Sequence, residues 1–319
     1  MKAVDASDGA RPTGHSPFSA RRGLSVVIVA YNSGEVLGGL LDSLPAGLEG
    51  TGDPDVIVAD NDSRDQSAEI ALFHPIRPRL LRMGRNAGYA AAINEAARLA
   101  GPGRDLLILN PDIRLMPGAA RALQARLSDK SIGVSVPRIM HEDGTTAPSL
   151  RRDPSVLTAW SEALIGGRLA GSLGLGEIIR DPARYERSCH VSWATGAALM
   201  VSAQARAQVG DWDESYFLYS EEVDFMRRVR AAGMAIEYVP QAKAVHIGGE
   251  YRSNPFLSGL LTANRIRDYG RVHGPAATLL FRSAIALGAA LRAPLGRVHR
   301  ASLAAALQAS TPCGPQRAV

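Results

Sequence analysis

The chain has 319 residues, 46% of them hydrophobic and 21% charged, with a formal net charge of +5, which suits one large α/β domain or two small ones around a substantial core. Its arginines are spread out, with no dense basic block interleaved with aromatics, which argues against nucleic-acid binding; the charge fits anionic nucleotides or an anionic membrane surface. The two cysteines, Cys189 and Cys313, have no CxxC spacing, which excludes a disulfide framework and a cysteine zinc site and fits a reducing, cytoplasmic compartment.

Residues 1–22 are rich in Gly, Ser, Asp and Arg without an apolar core, so they are expected to form a disordered arm and not a secretory signal. Leu24–Ala30 (LSVVIVA) is β-branched and nearly continuous, the pattern of a strand buried on both faces. A helix is expected from Ser33-Gly34 to about residue 44. A second strand over 56–59 ends at Asp60, followed by a helix over 65–73, an edge strand over 79–83 and an alanine-rich helix over 87–100. Asp105–Leu109 reads as a fourth strand, 117–127 as a helix with proline in its first turn, and 132–136 as a fifth strand. This alternation predicts an α/β fold, a mostly parallel sheet with helices on both faces.

The segment 144–187 carries Pro, Gly and Arg with weak periodicity and reads as a long excursion with some helix. Strand character returns over 191–201, residues 221–232 are helical, and 235–239 is another short strand. The alanine- and leucine-rich stretch 276–309 reads as a helix pair interrupted at Pro294. At about 100° per residue, Arg282, Arg292, Arg297 and Arg300 fall on one side. That pattern fits either a membrane-surface helix pair or helices packed on the domain with solvated arginines. No run reaches the roughly 18 uninterrupted apolar residues of a spanning helix.

In a parallel sheet, ligands bind beyond the carboxyl ends of the strands, and three polar clusters stand there: Tyr31-Asn32, Asp60-Asn61-Asp62-Ser63 and Asn110-Pro111-Asp112. There is no GxGxxG after the first strand and no GxxxxGK[ST], which argues against dinucleotide oxidoreductases and P-loop enzymes. Carboxylates facing a diphosphate repel it unless a divalent cation lies between them. Asp112 is the best candidate ligand, since Mg²⁺ or Mn²⁺ takes oxygen donors and keeps positions for water and phosphate; the same Asn-Pro-Asp also suits an ordinary turn. Ser220-Glu221-Glu222-Val223-Asp224 opens a helix, where acids complement the dipole. Three carboxylates after Tyr216-Phe217-Leu218-Tyr219 also suit a base whose pKa is raised by apolar neighbours. His246 precedes Ile247-Gly248-Gly249, glycines that permit close backbone approach to a phosphate.

The runs Ser25–Asn32, Asp60–Asp65, Asn86-Ala87-Gly88-Tyr89-Ala90 with Asn94, and Leu109-Asn110-Pro111-Asp112 together resemble the family 2 glycosyltransferases of the GT-A fold. Trp193-Ala194-Thr195-Gly196-Ala197, Gly210-Asp211-Trp212-Asp213-Glu214, Phe217 through Asp224 and His246 follow in the same order. The resemblance covers about residues 24–273 and is closest to bacterial rhamnosyltransferases of cell-wall and polysaccharide assembly. It implies a glycosyltransferase domain over 23–273; residues 274–319 lie beyond it and are read, from the helix pattern and arginine face above, as a helical, membrane-associating extension and tail.

By this resemblance Tyr31 and Asn32 line a nucleotide pocket, Asp60 holds the pyrimidine, and Asn86, Gly88, Asn94 and Asn110 help place the rest of the donor. Asp112 binds the metal with His246, and Trp193, Thr195 and Gly196 face the acceptor side of the sugar. Asn110 replaces the usual first acid of the metal motif, and Glu222 replaces an aspartate, so the base stays open among Glu222, Glu221 and Asp224, with Glu222 favoured. The implied reaction is inverting transfer from a nucleotide-sugar donor, dTDP-rhamnose first and a UDP-sugar second. The expected acceptor is a saccharide or lipid-linked saccharide, and the arginine-faced C-terminal region is the reason to expect it at the inner face of the cell membrane. The rival from another class is a sugar-nucleotide-binding protein without turnover.

Overall fold

The computed structural model of the protein describes residues 23–248 and 254–308; the expected N-terminal arm, Gly249 and Cys313 lie outside them. The chain opens with β1 (Leu24–Ala30), α1 (Gly34–Gly47), β2 (Asp55–Asp60), α2 (Ser67–Phe73), β3 (Arg79–Arg82), α3 (Tyr89–Ala100) and β4 (Asp105–Leu109). These agree with the expected alternation to within a few residues at helix ends. A short strand not foreseen, β5 (Ile113–Leu115), follows Asp112 directly. The next helix, α4 (Ala119–Arg126), starts after Pro117, because Gly118 takes a left-handed φ of 69° as its N-cap.

Then come β6 (Ile132–Met140), β7 (Leu150–Arg151), α5 (Val156–Ile165), α6 (Gly167–Ser172), β8 (Cys189–Val191), β9 (Trp193–Ala194), β10 (Ala198–Val201), α7 (Ala203–Val209) and α8 (Glu221–Ala231). The strand region expected over 191–201 is therefore broken into three pieces. Last are β11 (Ala235–His246), α9 (Pro255–Val272), α10 (Pro275–Arg292) and α11 (Arg297–Leu307). β11 runs seven residues past the expected end, through Pro240, with its register against β6 shifted between Val239 and Lys243. His246 is thus the last residue of a strand and does not sit in a following loop.

The main sheet has the order β3-β2-β1-β4-β10-β6-β11-β5, with β8 also paired to β11, and β7 pairs β9 as a separate ribbon. β3, β2, β1 and β4 are parallel, β10 is inserted antiparallel, and β6 and β11 are again parallel to each other. Strand side chains alternate between faces. Val27 and Val29 therefore join the core under α3, α7 and α8. Val26 and Ile28 join the opposite core under α1, α2 and α4. Every residue of β1 is buried, as expected of a strand covered on both sides.

The C-terminal helices are built into this body. Tyr269 of α9 stacks on Phe281 of α10 with ring centroids 3.9 Å apart, and Ala159 of α5 shares their small core. Arg282 donates to the carbonyls of Ala306, Leu307 and Gln308, and Arg292 to those of Gly288 and Glu162. Two of the four arginines expected to share a surface face are therefore spent on helix ends, and Arg297 and Arg300 remain exposed. Pro275–Leu295 is long and apolar enough, by length and composition alone, to cross a membrane, although Phe281, Ala284 and Gly288 are buried against the domain.

Candidate active site

The register places the polar strand ends side by side: Ala30 pairs Asp60, and Ile28 pairs Leu109. β10 runs the other way, with Ala198 opposite Leu109, so the Gly196-Ala197 turn arrives at the same edge. There the amide of Asn110 donates to the carbonyl of Ala197 at 2.8 Å. The edge is the crevice in which α/β sheets bind ligands.

On the donor side, Asn32 has φ 49° and links β1 to the Asp60 loop. Its amide donates to Oγ of Ser63 at 3.0 Å, and its Oδ1 accepts from the amide of Arg64 at 2.8 Å. Asp60 is 3% exposed and accepts from the amide of Ser63; Tyr31 remains 40% exposed at the rim. Asn61 was quoted only within a motif, yet it fastens two loops. Its Nδ2 donates to the carbonyl of Gly88 and its Oδ1 accepts from Ala87. Asn86 folds back on the same turn, its Oδ1 accepting from the amide of Gly88. Gly88 is required there: φ is 91°, and a Cβ would overlap the carbonyl of Phe217 and come 3.0 Å from its Cα.

Asp112 and His246, far apart in sequence, meet where β5 pairs the end of β11. Nε2 of His246 lies 3.1 Å from Oδ2 of Asp112. The other oxygen, Oδ1, is buried without a hydrogen-bond partner among the described residues. An orphaned carboxylate oxygen beside an imidazole fits a divalent cation. Among the described residues no group of three or more His, Cys, Asp or Glu side chains gathers. Two protein donors would leave the remaining positions of such a cation to water and phosphate oxygens, as Mg²⁺ or Mn²⁺ allows.

The acid cluster begins with strain. Tyr219 and Ser220 have φ 71° and 74°, and with Asn32 and Asp62 they make up four of the five non-glycine residues at positive φ among the described residues. Strain of this kind gathers where geometry is held for a purpose. Glu222 lies against Gly196: a Cβ there would come 3.6 Å from Cβ of Glu222 and 3.9 Å from its Cδ. Oε2 of Glu221 and Oε2 of Glu222 are both buried without hydrogen-bond partners among the described residues. Burial pushes the Glu222 carboxyl up to about 7. It pushes Glu221 upward too, helped by the neighbouring Glu222 charge.

Tyr89, absent from the expected site residues, ties the halves together. Its hydroxyl is 2.9 Å from Oδ1 of Asn110 and 3.2 Å from the carbonyl of Gly196. Burial, then the charges of Glu221, Glu222 and Asp112, raise its pKa well above the usual phenol value, so it stays a donor. Within the motif quoted for its region, nothing but adjacency to Gly88 pointed to it.

Three expected site residues are occupied elsewhere. Asn94 is 1% exposed and bonds the backbone of Trp212 through both its Nδ2 and its Oδ1, with a further bond to Glu214; it anchors a loop and contacts no strand-end carboxylate. Trp193 is 8% exposed in the core, with its indole N–H donating to the carbonyl of Arg152. Asp224 cannot serve as the base, because Arg227 holds one oxygen at 2.6 Å and Arg228 the other at 2.7 Å. Thr195 stays partly exposed beside Gly196, its amide bonded to the carbonyl of Ser149.

Residues 25–183 match the family model described as Glycosyl transferase family 2. The chain is 33% identical over 237 residues to an N-acetylglucosaminyl-diphospho-decaprenol L-rhamnosyltransferase of Mycobacterium tuberculosis, covering 70% of this chain and 75% of that protein. It is 26% identical over 226 residues to a low-salt glycan biosynthesis hexosyltransferase of Haloferax volcanii, covering 70% of this chain and 66% of that protein. Among solved structures, it is similar to a mannosyltransferase from Pyrobaculum calidifontis in complex with GDP-Man and Mn²⁺. There the TM-score is 0.53 at 16% identity, covering 90% of this chain and 86% of that one. GalNAc-T7 with UDP, GalNAc and Mn²⁺ gives a TM-score of 0.53 at 17% identity over 72% of this chain; the chain spans only 44% of that structure's length. The structural likenesses speak for the GT-A fold.

Proposed function

The chain belongs to glycosyl transferase family 2 and is a glycosyltransferase; on that footing we propose that it transfers L-rhamnose from dTDP-rhamnose, with inversion, to a diphosphate-linked saccharide carried on a lipid. The observation that carries the reading is that Tyr89 bonds both Asn110 and the Gly196 turn and feels the charges of both Glu222 and Asp112, which pairs with His246: a carboxylate base and a cation site, the two parts such a reaction needs, share one crevice. The rhamnosyl donor and the diphosphate-lipid acceptor are taken from the printed activity of the mycobacterial relative.

Glu222 accepts the proton of the acceptor hydroxyl while that oxygen bonds to the anomeric carbon and the bond to the departing nucleoside diphosphate breaks. A raised carboxyl pKa near the working pH suits a general base, worth about 10²–10⁴-fold in rate. Tyr89 ties Asn110, next to the Asp112 loop, to the Gly196 turn against which Glu222 lies. Asp112 and His246 would hold a divalent cation, which supplies neutralisation of the charge growing on the leaving diphosphate.

A lipid-borne acceptor calls for a surface that meets the bilayer. Leu164 and Ile165 of α5, Leu169 of α6 and Leu173 just after it are 42–64% exposed. Ala163 packs on Gly288 and Arg292 reaches the carbonyl of Glu162, so this elbow adjoins exposed Leu291 and Leu295. With exposed Arg297 and Arg300 nearby in sequence, the face suits peripheral contact with the anionic inner leaflet from the cytoplasmic side.

The reading is tested by incubating the protein with dTDP-rhamnose or UDP-sugars, Mg²⁺ or Mn²⁺, and a lipid-diphosphate N-acetylglucosamine, with the product read by mass spectrometry. Rhamnosyl transfer supports it. Transfer from a UDP-sugar instead keeps the mechanism and replaces the donor, and no transfer from any donor contradicts the reading.

A further inference from the structure

Beside the β7–β9 ribbon lies a cavity of about 370 Å³ whose lining includes Arg151, Arg152, Arg184, His190, Asp181 and Ser192. Three guanidiniums and an imidazole face one carboxylate there. That carboxylate is engaged in part at the start of a turn, accepting from the amide of Ala183 at 3.0 Å. Arg152 gives one nitrogen to the carbonyl of Gly176 at 2.8 Å, which fixes the guanidinium while an arginine has five N–H donors in all. Arg151 is held similarly, by the carbonyl of Pro148 at 2.6 Å. A pre-oriented arginine fork next to a hydroxyl is the chemistry that recognises phosphate oxygens. Neither the nucleotide side nor the Asp112–His246 pair uses this cavity.

Its position relates it to the base. Arg151 pairs in register with Trp193, and Gly196, against which Glu222 lies, is three residues further on. Extended chain covers ~3.3 Å per residue, so the backbone from Trp193 to the turn at Gly196 spans at most ~10 Å. That is a span suited to one sugar ring and its glycosidic oxygen. The positive charge of Arg151 is also among the influences felt by the Glu222 carboxyl, so this lining residue of the cavity lies near the base as well.

We propose that this cavity binds the diphosphate of the acceptor, so that the sugar attached to it extends along the Trp193–Gly196 segment and offers a hydroxyl to Glu222. The inference rests on the reading above that the acceptor carries a diphosphate. It assigns that group to residues of the segment 144–187 and of β8, outside the donor site.

The test is a calorimetric titration with inorganic pyrophosphate in metal-free buffer, where a cation-dependent donor site does not compete. The intact protein binds pyrophosphate, exposed Arg184→Gln weakens it, and the double variant Arg152→Gln/Arg184→Gln weakens it by on the order of tenfold or more. Asp112→Asn leaves it unchanged. A wild type that fails to bind, or a double variant that binds as the wild type does, overturns the proposal. A second readout separates a free anion from the lipid-linked one. In the Arg184→Gln variant KM rises for the diphosphate-linked acceptor but not for an alkyl glycoside of the same sugar. Pyrophosphate that binds but does not compete with the acceptor also overturns the assignment. If no acceptor is glycosylated the functional reading fails, and the pyrophosphate titration still decides whether the cavity is an anion site.

Discussion

Gly248 runs so close to Asp112 that a Cβ at that position would overlap Oδ2 and stand 3.0 Å from Cγ. This is the oxygen that lies 3.1 Å from His246. Gly248 is thus the floor on which the pair rests, and its requirement for glycine is steric, not conformational.

Gly248→Ala is therefore expected to displace the Asp112 carboxylate and weaken cation-dependent nucleotide binding by at least about tenfold. A surface change of this kind usually alters stability by less than about ±0.5 kcal/mol. Calorimetry and thermal melting on the same samples check both halves; unchanged binding would mean that Asp112 does not hold the cation.

Glu222→Gln is expected to lower kcat by about 10²–10⁴-fold while nucleotide affinity is kept. The base acts unprotonated, so wild-type kcat should rise with pH through about 7 and level off above it. The glutamine variant should lose this ascending limb. Asp224→Asn should behave differently, losing stability, because Arg227 and Arg228 would be left beside a neutral group.

The same carboxyl has a stability consequence. Its folded pKa is raised above the unfolded value, so the native state holds a proton that the unfolded chain releases. Stability relative to the protonated form is full below the unfolded pKa and is lost as pH rises to about 7. Glu222→Gln removes this penalty. It should melt several degrees above wild type at pH 8 and little differently at pH 4.5, as melts at the two pH values would show. A variant less stable than wild type at pH 8 would mean that the carboxylate is not held against its charge.

Replacing Leu169 and Leu173 with serine should reduce sedimentation with anionic liposomes several-fold without changing nucleotide binding. Both side chains are more than half exposed, so folding has little stake in them. Equal sedimentation of variant and wild type would remove this face from membrane contact.

Much of the architecture was legible in the sequence because buried parallel strands are written as continuous apolar runs. β1 and β4 agree with the expected limits residue for residue, as does the start of α8. β6 and β11 run on past the expected ends at residues 136 and 239 through Pro137 and Pro240, with a register shift in β11. Asp112 stands out as a strand-end carboxylate and His246 by the glycines after it, whereas acid density marks the cluster without separating Glu222 from Glu221 and Asp224, a choice that comes only with the resemblance. What sequence could not reveal was which polar side chains were already spoken for. Asn94, Trp193 and Asp224 are the right residue types in the right motifs, yet their hydrogen-bonding groups are committed to Trp212, Arg152 and the Arg227–Arg228 pair. Tyr89 was missed for the converse reason: its importance lies in reaching Asn110 and Gly196, a contact that only the folded chain creates.

The most direct test of the central claim is a calorimetric titration of wild type and Asp112→Ala with dTDP, UDP and GDP, each with and without Mn²⁺ or Mg²⁺. The account predicts that wild type binds dTDP in preference, only when the cation is present, and that Asp112→Ala loses this binding. Nucleotide binding that ignores the cation and survives in Asp112→Ala, or no nucleotide binding at all, would contradict it.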